Sequence, residues 1–168
     1  AAMVLSMLSA PFLFPLADKI VTRYCGSEWL NLSAKLHEVA RRSLQQDNHV
    51  IICGYGRSGQ QLARLLQEEK CPIFALDLDP VRVKEAAAAG DSVVYGDAAK
   101  LEVLLAAGLQ RARALIVSYA DTHSALKILH LVHAERPDLP IIVRTQDTSS
   151  IDVLRAAGAT EVVAEIME

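Results

Sequence analysis

An apolar, β-rich run, His49-Val50-Ile51-Ile52-Cys53, feeds directly into Gly54-Tyr55-Gly56-Arg57-Ser58-Gly59 and from there into a helical pattern. That order leaves the chain few options. A strand must turn sharply at its carboxyl end and pass into a helix that packs back on the same sheet, the opening unit of a parallel α/β fold. Gly54 permits the turn, Gly56 leaves the backbone open to a pyrophosphate, and Gly59 lets the helix approach the sheet closely. The helix, expected from Arg57 to about Glu69, turns unpaired N–H groups and the positive end of its dipole towards the loop, and Arg57 adds a full charge there. The whole loop, Tyr55 and Ser58 included, is therefore a candidate phosphate cradle.

The rest of the chain repeats the alternation. Strands are expected near Ile73–Asp77, Ser92–Tyr95, Ala114–Ser118, Ile141–Arg144 and Glu161–Val163, with helices near Pro80–Ala89, Ala98–Ala107, Thr122–Glu135 and Ser149–Ala157. Turn signals separate them: Asp79-Pro80, Gly90-Asp91, Gly108, Arg136-Pro137-Asp138 and Gly158. Six strands alternating with helices imply a Rossmann-like, doubly wound parallel sheet in the order 3-2-1-4-5-6, with a ligand cleft where the order reverses between strands one and four.

The loops at that end define the ligand. Asp77 closes strand two, 23 residues after Gly54 and 18 after Gly59, where a carboxylate accepts hydrogen bonds from ribose hydroxyls and repels a 2′-phosphate. Leu78 follows it. NAD(H), AMP or another adenine nucleotide is thus expected, and NADP(H) is not. Tyr95-Gly96-Asp97-Ala98 should flank the adenine, Asp97 accepting from the amino group and the Ala98 N–H donating to a ring nitrogen; Asp97 is equally suited to cap a helix from Ala98. Ser118 and Tyr119 should face the second half of the cleft, or form an ordinary turn there. Arg82 favours a 2′-phosphate if it swings in, against which the fixed Asp77 is expected to prevail. Arg144, ending strand five, could reach a phosphate or a dimer partner, against the plain reading of a surface ion pair with Asp147.

Composition narrows the class. A net charge of −3 over 168 residues provides no basic footprint for nucleic acid. Three cysteines, Cys25, Cys53 and Cys71, form no C-x-x-C and fit a reducing compartment, with Cys53 a small core residue on strand one. Ala1 to Ala17 is almost wholly apolar or small and leads to Lys19 and Arg23. Residues 1–24 read as the end of a transmembrane helix with its cytoplasmic side marked by those cations, against the alternative of a buried helix in a soluble protein. Residues 25–47 read as a linker helix, amphipathic from Ser27 to about Gln46, with Leu32, Leu36, Val39 and Leu44 on its apolar face. It lies either at the membrane interface or, more simply, against the domain that occupies 48–168. His130 and His133 are spaced to share a metal, but two such residues on one helix usually form a solvated face.

Gly54-Tyr55-Gly56-Arg57-Ser58-Gly59-Gln60, Leu76-Asp77-Leu78-Asp79-Pro80 and Tyr95-Gly96-Asp97-Ala98 together resemble the RCK/KTN (TrkA-N) domains of potassium transport proteins, above all Kef-type cation:proton antiporters. The resemblance implies a regulator and not an enzyme: an inner-membrane protein whose cytoplasmic domain binds NAD(H) or AMP-like nucleotides, forms a homodimer, responds to a small-molecule effector and gates its own transmembrane transport domain. Glutathione-gated members carry a basic residue near the sixth strand, where this chain reads Val163-Ala164-Glu165-Ile166-Met167-Glu168. The family also continues into a further crossover helix that helps build the dimer. The rival reading is the cofactor domain of an NAD-dependent dehydrogenase; it lacks a Tyr-x-x-x-Lys pair after strand four, since Tyr119 is followed four residues later by His123.

Overall fold

The structure, a computed structural model, describes residues 36–44 and 46–165. The expected transmembrane end (1–24), the first part of the linker (25–35) and the last three residues of the chain lie outside them. Six strands, β1 (Val50–Cys53), β2 (Ile73–Asp77), β3 (Val93–Tyr95), β4 (Ala114–Val117), β5 (Ile141–Thr145) and β6 (Glu161–Ala164), form one parallel sheet in the order β3-β2-β1-β4-β5-β6. The helices are α1 (36–43), α2 (Arg57–Glu68), α3 (Pro80–Ala88), α4 (Leu101–Ala106), α5 (Thr122–Glu135) and α6 (Ile151–Ala156). The topology is the doubly wound, Rossmann-like one expected from the alternation.

Every residue of β1 and β2 is buried, because each faces helices on both sides; this is why they read as unbroken apolar runs. The two-residue period of the strands divides the core. Ile51, Cys53, Phe74, Leu76, Leu115 and Val117 point to one face, under Val39 of α1, Leu104 of α4, Leu129 of α5 and Leu154 of α6. Val50, Ile52, Ala75 and Ile116 point to the other, under Ala63 of α2 and Ala86 of α3.

Local chemistry sets the helix starts. The Asp79 carboxylate accepts from the N–H groups of Val81 (2.9 Å) and Arg82 (3.3 Å) with Pro80 in the first helical position, so α3 begins where a capped, proline-led helix should. Asp121 caps α5 through the Ser124 N–H at 3.0 Å. Two expected starts move. Asp97 accepts from the Ala99 N–H (3.0 Å) and its carbonyl from the Lys100 N–H (3.1 Å), and this local turn holds 97–100 so that α4 starts at Leu101 instead of Ala98. Asp147 caps a 3₁₀ turn over Thr148–Ser150, which delays α6 to Ile151.

The described part of the linker docks on the domain, the simpler of the two expectations. Val39 is 1% exposed and joins the core, while the Ser43 hydroxyl donates to the Ala106 carbonyl at 2.5 Å. Arg111 ties the exit of α1 down through the Ser43 carbonyl (3.2 Å) and Asp47 (2.9 Å). Leu44, expected on the apolar face, is instead 71% exposed, because the buried face runs through Val39 and Ser43 and the next residue points about 100° away from it. Among the described residues no helix is long and apolar enough to cross a membrane.

Candidate functional site

A cleft of about 920 Å³ opens at the carboxyl ends of β1, β2, β4 and β5, at the point where the strand order reverses. Its floor is the glycine loop. Gly54 has φ of +98°, and a Cβ there would come within 2.7 Å of the Tyr119 ring, so only glycine makes this turn without strain. Gly56, in extended backbone, has nothing within 4 Å of where a Cβ would stand; its surroundings are open to the cleft. Arg57 and Ser58 begin α2 beside it and line the same space.

Two of the loop residues singled out in the sequence do not reach the cleft. Tyr55 is 3% exposed and packs beneath the loop with Ile52 and Ala63, where burial, followed by Asp91, pushes its phenol up to about 12. Only its backbone serves the site. Gly59 faces the sheet, with the Gly54 carbonyl 2.2 Å from a notional Cβ. Gly54, Gly56, Arg57, Ser58, Asp77, Leu78, Asp97, Ala98 and Ser118 all line the cleft.

Asp77 is the most tightly held of them. Its carboxylate is 6% exposed and accepts four hydrogen bonds: Tyr55 N–H at 2.5 Å and Asp79 N–H at 2.7 Å from the main chain, and the Arg82 guanidinium at 2.9 and 2.8 Å on its two oxygens. The same contact raises the pKa of Arg82, outweighing the partial desolvation that lowers it. Arg82 also reaches Asp79 at 3.2 Å. Arg82, five residues on, has swung in over the carboxylate.

At the other end of the cleft the expectations change more. Ser118 is 7% exposed and its hydroxyl donates inward, to the carbonyls of Gly54 (2.8 Å) and Cys53 (3.2 Å), so it braces the glycine turn. Burial raises the Tyr119 phenol far above its ordinary range, and its ring lies against Gly54. Arg144 does not pair with Asp147, whose carboxylate is taken by Ser149 and Ser150. It pairs with Glu165 and donates to the Ser118 carbonyl at 3.1 Å. The register of β5 on β6, Thr145 beside Ala164, brings Gln146 and Glu165 together at the rim, a pairing no local sequence pattern signals. Arg144, Gln146 and Glu165 line the cleft, and of these Gln146 and Glu165 are not among the candidates the sequence offers. Among the described residues no group of three His, Cys, Asp or Glu side chains is placed to hold a metal.

A glycine turn leading into a helix, an acid at the end of the next strand and a cleft at the reversal of strand order define the class: a nucleotide-binding, Rossmann-like domain. Residues 50–165 match the family model of the TrkA-N domain, and the chain belongs to that family. It is 42% identical over 171 aligned positions to a protein of Alkalimonas amylolytica named as a K(+) efflux antiporter, KefB, an alignment covering 99% of this chain and 25% of that protein. Among solved structures it is similar to the TrkA-N domain of the inner membrane protein YbaL from Escherichia coli, with 30% identity and a TM-score of 0.67 over 71% of this chain and 88% of that one. The AMP-bound Kef CTD of Shewanella denitrificans superposes with a TM-score of 0.62 and 35% identity over 70% of this chain and 71% of that one. The chain spans roughly a quarter of the length of the full-length relatives it matches.

Proposed function

We propose that this domain is the nucleotide-sensing regulatory part of a potassium (cation):proton antiporter or efflux system, taking NAD(H), AMP or a related adenine nucleotide in the cleft. One observation carries the reading: the unobstructed backbone at Gly56, beside Arg57 and the amino end of α2, shares the cleft with a carboxylate fixed by two main-chain N–H groups, one of them that of Tyr55 in the same loop. In this reading the loop 54–59 holds phosphate, Asp77 the ribose, and Leu78, Asp97 and Ala98 border the adenine. The AMP in the Kef CTD of Shewanella denitrificans supports the ligand class, and the names of the antiporter relatives support regulation over catalysis.

A nucleotide moves a transmembrane equilibrium only if it binds one arrangement of the domain more tightly than another. The path we propose is short. Val39 of α1 packs on the side of Gly96, whose notional Cβ lies 3.9 Å from it, and Gly96 lines the cleft. Ligand at the 96–98 loop thus presses on the helix that leads back towards the membrane, and a homodimer through this domain would make the response cooperative. The protein then sits in the inner membrane with this portion on the cytoplasmic side.

The test is calorimetric titration with AMP, NAD⁺, NADH, ATP and NADPH, repeated on Asp77→Asn, which keeps shape and removes charge. Binding of a ligand with a free 2′-hydroxyl, weakened about tenfold or more in the variant as charge-assisted hydrogen bonds are lost, is the expected result. Absence of binding by all five ligands refutes the proposal.

A further inference from the structure

The covered state of Asp77 reaches beyond the identity of the ligand. An ionised carboxylate has about four acceptor positions. Two of those on Asp77 are filled from the main chain, by Tyr55 and Asp79, and two by the Arg82 guanidinium. No acceptor position is left for a ribose diol. The two main-chain donors belong to the loops that shape the cleft and cannot leave without dismantling it. Arg82 can leave: its side chain is 37% exposed, against 6% for Asp77, it stands on the first turn of α3, and Asp79 at 3.2 Å offers its guanidinium a second carboxylate nearby.

We infer that Arg82 is a tethered competitor for the ribose subsite, so that every ligand with a free 2′-hydroxyl must displace it from Asp77, whereas a 2′-phosphate would use it as a partner. The inference rests on the nucleotide-binding reading and adds a specificity-determining residue to it. Arg82 lowers the affinity for AMP-like ligands and narrows their advantage over 2′-phosphorylated ones, because it cancels part of the charge by which Asp77 rejects a 2′-phosphate. The two ligand types therefore respond to its removal with opposite signs, which a merely structural ion pair would not produce.

The experiment is calorimetric titration of the wild-type chain and of Arg82→Ala with AMP and with adenosine 2′,5′-bisphosphate. A parallel thermal melt checks that the variant is folded. Removing the competitor should tighten AMP by about fivefold, the scale of one partly exposed ion pair, and weaken the bisphosphate. AMP binding seen only in Arg82→Ala would show the same competition in its extreme form. Unchanged or weaker AMP binding in the variant, with the wild type binding normally, overturns the inference and leaves the nucleotide reading intact. Failure of AMP to bind either protein refutes the nucleotide reading and the inference with it.

Discussion

Gly56 and Gly59 occur three residues apart in one motif, yet the structure assigns them separable jobs, and alanine at each should tell them apart. At Gly59 a Cβ would stand 2.2 Å from the Gly54 carbonyl oxygen and 3.1 Å from its carbon. An ordinary C···O contact is about 3.3 Å or longer, so helix and turn must separate by about 1 Å. Neither yields easily: Gly59 lies in the first turn of α2, and the Gly54 carbonyl is held by the Ser118 hydroxyl at 2.8 Å. Overpacking of this kind costs about 1–3 kcal/mol, and for a domain of this size each kcal/mol lowers Tm by about 4 °C, so Gly59→Ala should melt roughly 4–12 °C early. At Gly56 the backbone is at φ −71° and nothing lies within 4 Å of the added methyl. Restricting the unfolded chain stabilises by about 0.4–1 kcal/mol, and losing glycine from the helix N-cap costs a similar amount, so Gly56→Ala should melt within about 2 °C of the wild type. It should nevertheless bind nucleotide poorly, because its methyl faces the cleft. Thermal denaturation followed by circular dichroism, with AMP titration of each variant, reads both effects. Equal melting temperatures for the two variants, or a Gly56→Ala protein that binds as well as the wild type, would refute this division of labour.

His49 is fully buried, with Nε2 bonded to the Ala107 carbonyl at 2.9 Å, and desolvation above all lowers its pKa below the ordinary 6.5. Below about pH 6.5 the unfolded chain therefore takes up a proton that the folded chain refuses, and stability should fall as pH drops through that range; His49→Gln should flatten the fall, read as Tm against pH from 7.5 to 5. Cys53 is wholly buried and its thiol is pushed up to about 12, whereas Cys71 is partly exposed. Iodoacetamide at pH 8 should modify Cys71 well before Cys53, as judged by peptide mass spectrometry, and early loss of free Cys53 would contradict the core placement. The Asp77→Asn and Arg82→Ala titrations described above complete the set, and they address the proposed ribose subsite from its two sides.

Much of this architecture was legible because its signals are local. The apolar runs 50–53 and 73–77 show the burial of both strand faces directly, and Asp79-Pro80 and Thr122 onward mark helix starts whose caps the neighbouring residues supply. Strand order follows from alternation and the handedness of crossovers, which allow few alternatives. Asp77 could be identified for the same reason: its position at a strand end after a glycine turn is a matter of spacing. Where two local chemistries compete for one segment the reading slipped, as at 97–100, where an Asp97 turn preceded the helix that the composition promised.

The sequence by itself determined the elements, their order in the sheet and the end of the sheet at which a cleft must open, since these depend on periodicity, turn chemistry and chain connectivity. Only the tertiary structure decided which charges meet across that cleft. Arg144 chose Glu165 over the nearer Asp147 because strand register, not sequence distance, sets what stands beside the end of β5, and because Ser149 and Ser150 had already taken Asp147. Ser118 turned inward to brace a carbonyl, and Arg82 closed over Asp77, for a common reason. A buried or half-buried polar group takes whichever partner the fold places within reach, and that distance is a property of packing that no window of sequence contains.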